Sequence, residues 1–168
     1  MKQKKFLTVY AVFNEEVQNL LSTWQKDILC CYKGTQTMGI PFHISLGSFP
    51  LECEQTLMNL IEETCDTFSP FKVNLQKIST FGNAVLFLEP ENHPLIMKLH
   101  SIFDGNYADG FTYHAHTTIF CGTEEEVLKA KSILEEKFIP IEAWITEIHL
   151  GEFFPTRIIL EKKLKCKS

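Results

Sequence analysis

A chain of 168 residues is long enough for one domain that buries about two-thirds of its unfolded surface, and 45% hydrophobic with 22% charged residues argues against a disordered or fibrous protein. No apolar run approaches the roughly 20 residues of a membrane-crossing helix, and Met1-Lys2-Gln3-Lys4-Lys5 runs straight into a strand-like segment without a signal-peptide pattern, so a cytoplasmic protein with no membrane partner is expected. The net charge is −5 and every cation except Arg157 is a lysine, with clusters at Lys2, Lys4 and Lys5 and at Lys162, Lys163, Lys165 and Lys167; this argues against the basic stripe that holds DNA or a long RNA, and leaves small phosphate ligands open.

Residues 6–13 are rich in β-branched and aromatic side chains and predict a central strand. Asn14 can cap a helix that begins with Glu15 and Glu16, carries Val17, Leu20, Leu21, Trp24 and Ile28 at helical spacing, and ends near Lys33-Gly34. A loop, residues 35–40, leads to a strand at 42–46. Beyond Pro50 a second helix shows the stripe Leu57, Leu60, Ile61, Cys65 and Phe68, stopped by Ser69-Pro70. Residues 72–78 alternate as a half-buried strand does, and Gly82-Asn83 can turn the chain into a second central strand, 84–88. The order then repeats. Asn92 and Pro94 open a helix, residues 106–111 form a loop, residues 113–120 are extended, and Thr123 with Glu126 makes a capping box. Residues 144–154 and 157–164 predict a closing hairpin around Pro155-Thr156. This repetition, with no low-complexity linker, predicts a single domain, 1–168, made of two lobes that span approximately 1–80 and 81–168.

The repeat carries chemistry. Side chains alternate along an extended chain, so His114, His116 and Thr118 share one face while Tyr113, Ala115, Thr117 and Ile119 share the other. Imidazole beside a hydroxyl is poor core material, because buried polar groups cost free energy unless paired. It suits proton transfer next to an anion. Residues 41–46 repeat the pattern, with His43 and Ser45 on one face and Phe42, Ile44 and Leu46 on the other.

Through His43-Ile44-Ser45-Leu46 and His116-Thr117-Thr118-Ile119, one in each half, the chain resembles the 2H phosphoesterase superfamily, the LigT-like or 2′-5′ RNA ligase-like proteins, over nearly its whole length. Ser45 stands where Thr is more frequent there, and Thr117 where an apolar residue is common. The resemblance implies an α+β fold of two pseudo-symmetric lobes, each an antiparallel sheet with helices packed outside, and a site in the cleft between them. It also implies the substrate class: a small nucleotide or short RNA end bearing a 2′,3′-cyclic phosphate or 2′-5′ phosphodiester.

In this reading His43 and His116 are the general base and acid, with either order open, since imidazole has an ordinary pKa of about 6.5. Ser45 and Thr118 donate to the non-bridging phosphate oxygens. The arrangement calls for no cofactor and no metal, and a monomer is expected. His114, Tyr107, Phe111 and Phe153 are candidate substrate contacts, the aromatic rings being able to stack a base. His93, His100 and His149 are read as structural or exposed. The cysteines at 30, 31, 53, 65, 121 and 166 lack metal-finger spacing and are read as reduced thiols; Cys121 lies closest to a motif. Two rival readings stand beside this one. His114 and His116 could ligate zinc with a third residue, or the protein could bind nucleotides without turning them over.

Overall fold

The computed structural model describes residues 4–104 and 112–165. In chain order these form β1 (Phe6–Phe13), α1 (Glu15–Leu29), β2 (His43–Phe49), a short 3-10 turn (Leu51–Cys53), α2 (Glu54–Thr67), β3 (Phe71–Phe81), β4 (Val85–Pro90), α3 (Pro94–Ile102), β5 (Thr117–Cys121), α4 (Glu124–Glu135), β6 (Ile141–Phe153) and β7 (Arg157–Lys163). Alternation assigns Leu7, Val9, Ala11 and Phe13 of β1 to one face. There they join Val17, Leu21, Trp24 and Ile28 of α1 and the apolar stripes of α2, α3 and α4 in a common core. The opposite face of the sheet is left for polar side chains. Among the described residues, no helix is long and apolar enough to cross a membrane.

All strand pairs are antiparallel, in the order β2-β1-β6-β3-β4-β5 with β7 added on β6, so the fold class is antiparallel α+β as the sequence suggests. The third strand of each half crosses over: β3 pairs with β4 of the second half, and β6 pairs with β1 of the first. The strands therefore make one seven-stranded sheet, joined through β6, whose residues 141–145 pair with β3 and residues 145–153 with β1.

Local chemistry explains most boundaries. Gly82 and Asn83 both take positive φ (50° and 57°), and Ala84 N–H bonds the Phe81 carbonyl at 2.9 Å, the tight hairpin that such a pair favours. Thr123 and Glu126 form the reciprocal capping box. Three expectations need correcting. Asn14 makes no side-chain bond to α1; its Oδ1 accepts from the Trp144 N–H at 3.1 Å, tying the start of α1 to β6. The cap of α3 is His93, whose Nδ1 accepts from Leu95 N–H, with Pro94 in the first turn. The second motif strand begins only at Thr117 rather than at 113. Its ladder partner β4 ends in Glu89-Pro90, and proline has no N–H to extend the pairing.

The duplication reaches the level of single residues. Along β1 and β2 the pairs run Val9–Gly47, then Tyr10–Ser45, so the chain bulges at Leu46. Along β4 and β5 they run Leu86–Phe120, then Phe87–Thr118, so the chain bulges at Ile119. In both halves the extra residue follows the motif hydroxyl. A bulge re-aims the side chains beside it, and here it does so twice at matching positions. Gly47 is part of the first: a Cβ there would lie 1.9 Å from the Phe103 carbonyl oxygen, at the end of α3. Gly47→Ala should therefore cost about 1–3 kcal/mol, the range for forcing extra atoms into a packed site. A urea midpoint equal to that of the unaltered protein would refute the tight contact.

Candidate active site

The strands at the two ends of the sheet path, β2 and β5, approach each other across its open side. Bonds that bridge the gap include Tyr113 Oη to the Ser45 carbonyl, Gln25 Nε2 to the Ile119 carbonyl and Thr35 N–H to the Cys121 carbonyl, each at 2.8 Å. A pocket of about 700 Å³ opens here, and its wall includes His43, Ser45, His116 and Thr118 together with Phe153. All four motif residues named from sequence thus meet at one cavity.

Both imidazoles are held in the same way. His43 Nδ1 lies 2.8 Å from the Pro41 carbonyl oxygen, and His116 Nδ1 lies 2.8 Å from that of His114. A carbonyl only accepts, so each Nδ1 carries a proton, and in the neutral ring Nε2 is left with the lone pair. The segment before His43 is clamped by Gln18, which accepts from Phe42 N–H and donates to the Phe42 carbonyl, both at 2.7 Å. His43 rests against the Tyr10 ring at a centroid distance of 4.5 Å. His116 is met by Phe81 at 4.9 Å and Phe87 at 5.1 Å. Burial pushes the His43 pKa down to about 4; the Pro41 bond opposes this, and the imidazoles of His116 and His149 deepen it. Burial also lowers His116, against the pull of the His114 carbonyl. The pair therefore resists carrying two protons.

The remaining candidates separate. Phe153 lies in the pocket wall, stacked on Phe6 at 5.4 Å. His114 stands outside that wall, with Nε2 3.3 Å from Glu89 Oε1 and its ring edge-on to Phe81 and Phe87. Tyr107 and Phe111 lie outside the described residues. Cys121 borders the pocket, but burial raises its thiol pKa, so it is a poor nucleophile. No group of three His, Cys, Asp or Glu side chains able to hold a metal ion occurs among the described residues, which leaves the His114–His116 zinc reading without a third ligand there. His100 and His93 have structural roles: His100 Nδ1 bonds the Leu46 carbonyl and its ring stacks on Tyr113, while His93 caps α3.

His149, read from the sequence as structural or exposed, is buried. It is 4% exposed, its Nε2 lies 2.6 Å from Glu147 Oε2, and its ring approaches Tyr10, its direct partner across β1 and β6. Glu147, His149, Tyr10 and His43 thus line up across three adjacent strands. The Tyr10 hydroxyl and His149 Nδ1 are buried with no hydrogen-bond partner among the described residues. Burial, then Glu161, lifts the Tyr10 pKa to about 12, so the phenol stays protonated. The available sequence signal was alternation, because Glu147 and His149 stand two apart and alternate with Ile148 and Leu150.

Thr117 faces the core fully buried, and its hydroxyl has no partner among the described residues. Thr117→Val keeps the shape and removes the unsatisfied group, so it should stabilise the fold by about 1 kcal/mol. Thermal unfolding measures this; a lower midpoint would mean that the hydroxyl has a partner after all.

Comparison with known proteins agrees with this architecture. The profile of the 2′-5′ RNA ligase superfamily matches residues 14–153. Among solved structures, Escherichia coli LigT complexed with 3′-AMP superposes with a TM-score of 0.66 at 15% identity, covering 97% of this chain and 99% of that one. LigT complexed with NADP+ gives 0.65 at 16%, covering 96% and 99%. The TT0787 protein of Thermus thermophilus gives 0.61 at 14%, covering 97% and 100%. No curated protein sequence matches significantly.

Proposed function

Since the chain belongs to the 2′-5′ RNA ligase superfamily, we propose that it is a phosphoesterase that opens a 2′,3′-cyclic phosphate, or cleaves a 2′-5′ phosphodiester, of a nucleotide or short RNA end. The observation that carries this reading is the matched pair of imidazoles. Each donates its Nδ1 proton to the carbonyl two residues earlier, and each stands with a motif hydroxyl in the wall of one pocket.

The two rings divide the work according to their surroundings. His43, held to a pKa of about 4, is neutral at pH 7 and serves as base: its Nε2 takes a proton from the attacking water. Oxygen attacks phosphorus, and the bond to the 2′ or 3′ oxygen breaks. His116, protonated, gives its Nε2 proton to that leaving oxygen. The Ser45 and Thr118 hydroxyls donate to the non-bridging oxygens as negative charge builds on them. Nucleotide ligands in the solved LigT complexes, 3′-AMP, ATP and NADP+, are in keeping with a small nucleotide partner here.

His43→Ala and His116→Ala should each lower turnover by about 10²–10⁴ while the variants stay folded, the range for losing a positioned acid or base. Near-full activity of either on the best cyclic nucleotide would remove it from the mechanism. Ser45→Ala and Thr118→Ala should lose roughly 10–10³ in kcat. Unchanged kinetics with lower stability would make these hydroxyls structural.

The pH profile follows from the two imidazoles. The base must be unprotonated, so kcat/KM falls as pH drops through the His43 value of about 4. The acid must be protonated, so kcat/KM falls again as pH rises through the His116 value, which lies below the ordinary 6.5. Both limbs of the bell should lie below pH 6.5, unaltered by dialysis against chelator. An alkaline limb above pH 7, or activity lost to chelator and restored by zinc, would replace this scheme.

A further inference from the structure

The wall of the pocket holds neutral groups almost throughout. Apart from His43, His116 and Cys121, no titratable side chain lines it among the described residues, and neither lysine nor arginine does. Protein surfaces that hold several phosphates do so with Lys and Arg, and release counterions in doing so. Here one phosphate can be met by two imidazoles and two hydroxyls, and a second would find no cation among the described residues of the wall.

The neutral groups fall into two sets. Gln18 spends both ends of its amide on Phe42, Gln25 donates to the Ile119 carbonyl, and Gln36 donates to the Lys33 carbonyl and accepts from Cys121 N–H. These three glutamines build the wall. Asn19 and Ser22, three residues apart on the same face of α1, also line the pocket, and neither side chain has a hydrogen bond within the described residues. An amide and a hydroxyl in that state can donate to and accept from an uncharged polar ligand. Met38, 58% exposed, offers an apolar surface in the same wall.

We infer that this site selects a nucleoside whose only phosphate is the one being cleaved, and that Asn19 and Ser22 contact the uncharged nucleoside portion; the inference rests on the phosphodiesterase reading above. The competing feature is Lys33, which lines a smaller adjoining hollow of about 340 Å³ that shares Gln36 and Met38 with the pocket. A second phosphate, if accommodated, would be held there.

The test uses the full chain and three substrates: adenosine 2′,3′-cyclic phosphate, the same compound with a 5′-phosphate, and a short oligoribonucleotide ending in a cyclic phosphate. Each is assayed at low and high salt. The first should have the highest kcat/KM, nearly independent of salt, and Lys33→Ala should leave it unchanged. Asn19→Ala and Ser22→Ala should each raise KM about 2- to 10-fold, the effect of one lost hydrogen bond. Calorimetry with adenosine 2′-monophosphate against the 2′,5′-bisphosphate reads the same ranking without turnover. Tighter binding or faster cleavage of the more highly charged ligand, weakened by salt and by Lys33→Ala, overturns the inference. If the monophosphate binds better but no substrate is turned over, the selectivity stands and only the phosphodiesterase reading fails.

Discussion

An imidazole is useful for moving a proton only if one nitrogen is committed and the other is free. In this protein the backbone commits Nδ1 in both halves, through the carbonyl two residues earlier. Such a bond needs a carbonyl that no strand ladder consumes. Pro41 and His114 both precede their strands, since β2 opens at His43 and β5 opens immediately after His116. The motif histidines therefore have to sit where a strand starts, on the strands that end the sheet path, with the strand itself carrying the hydroxyl two residues on. The twin bulges, the crossed third strands and the bonds across the gap all serve to bring two such strand starts to one cavity.

Duplication of the framework did not duplicate the surroundings. Tyr10 and Phe87 occupy the same place relative to the motif hydroxyls, as partners of Ser45 and Thr118. Behind Tyr10 comes His149 with Glu147; Phe87 instead has Ser79 opposite it, and Ser79 donates to Glu89. One ring is thus backed by a phenol and a second imidazole, the other by two phenyl rings. Symmetric positions with unequal neighbours let two copies of one residue hold a proton with unequal strength.

Much of this was legible in the residues. Period-two alternation located most of the strands, and it set His43 with Ser45 and His116 with Thr118 on shared polar faces, which the structure puts in the wall of one pocket. The capping box at Thr123 and the turn at Gly82-Asn83 are local chemistry and form as read. What could not be read depends on other parts of the chain. Asn14 looks like a helix cap but finds a better partner in Trp144, far away in sequence. His149 resembles a stray histidine until β6 is placed beside β1 and its neighbour becomes Tyr10. His114 shares a face with His116 in an ideal strand, yet the ladder stops short of both and Glu89 draws it aside. The swap of third strands left no mark either, since each strand keeps the same pattern whichever sheet edge it joins.

The bonds from Tyr113, Gln25 and Thr35 to the opposite motif strand turn an open sheet into a loop closed on itself. Going one way round, the two histidines are linked through six strands; going the other way, through a few hydrogen bonds. The span between them is thus fixed twice, by the accumulated curvature of the sheet and by the short stitches, and the two must agree. Length changes within the ring, as in the segment between α1 and β2, would set these measures against each other. β7 pairs with β6 alone, off the ring. It is the part of the sheet that could be lengthened or replaced without changing the gauge of the site.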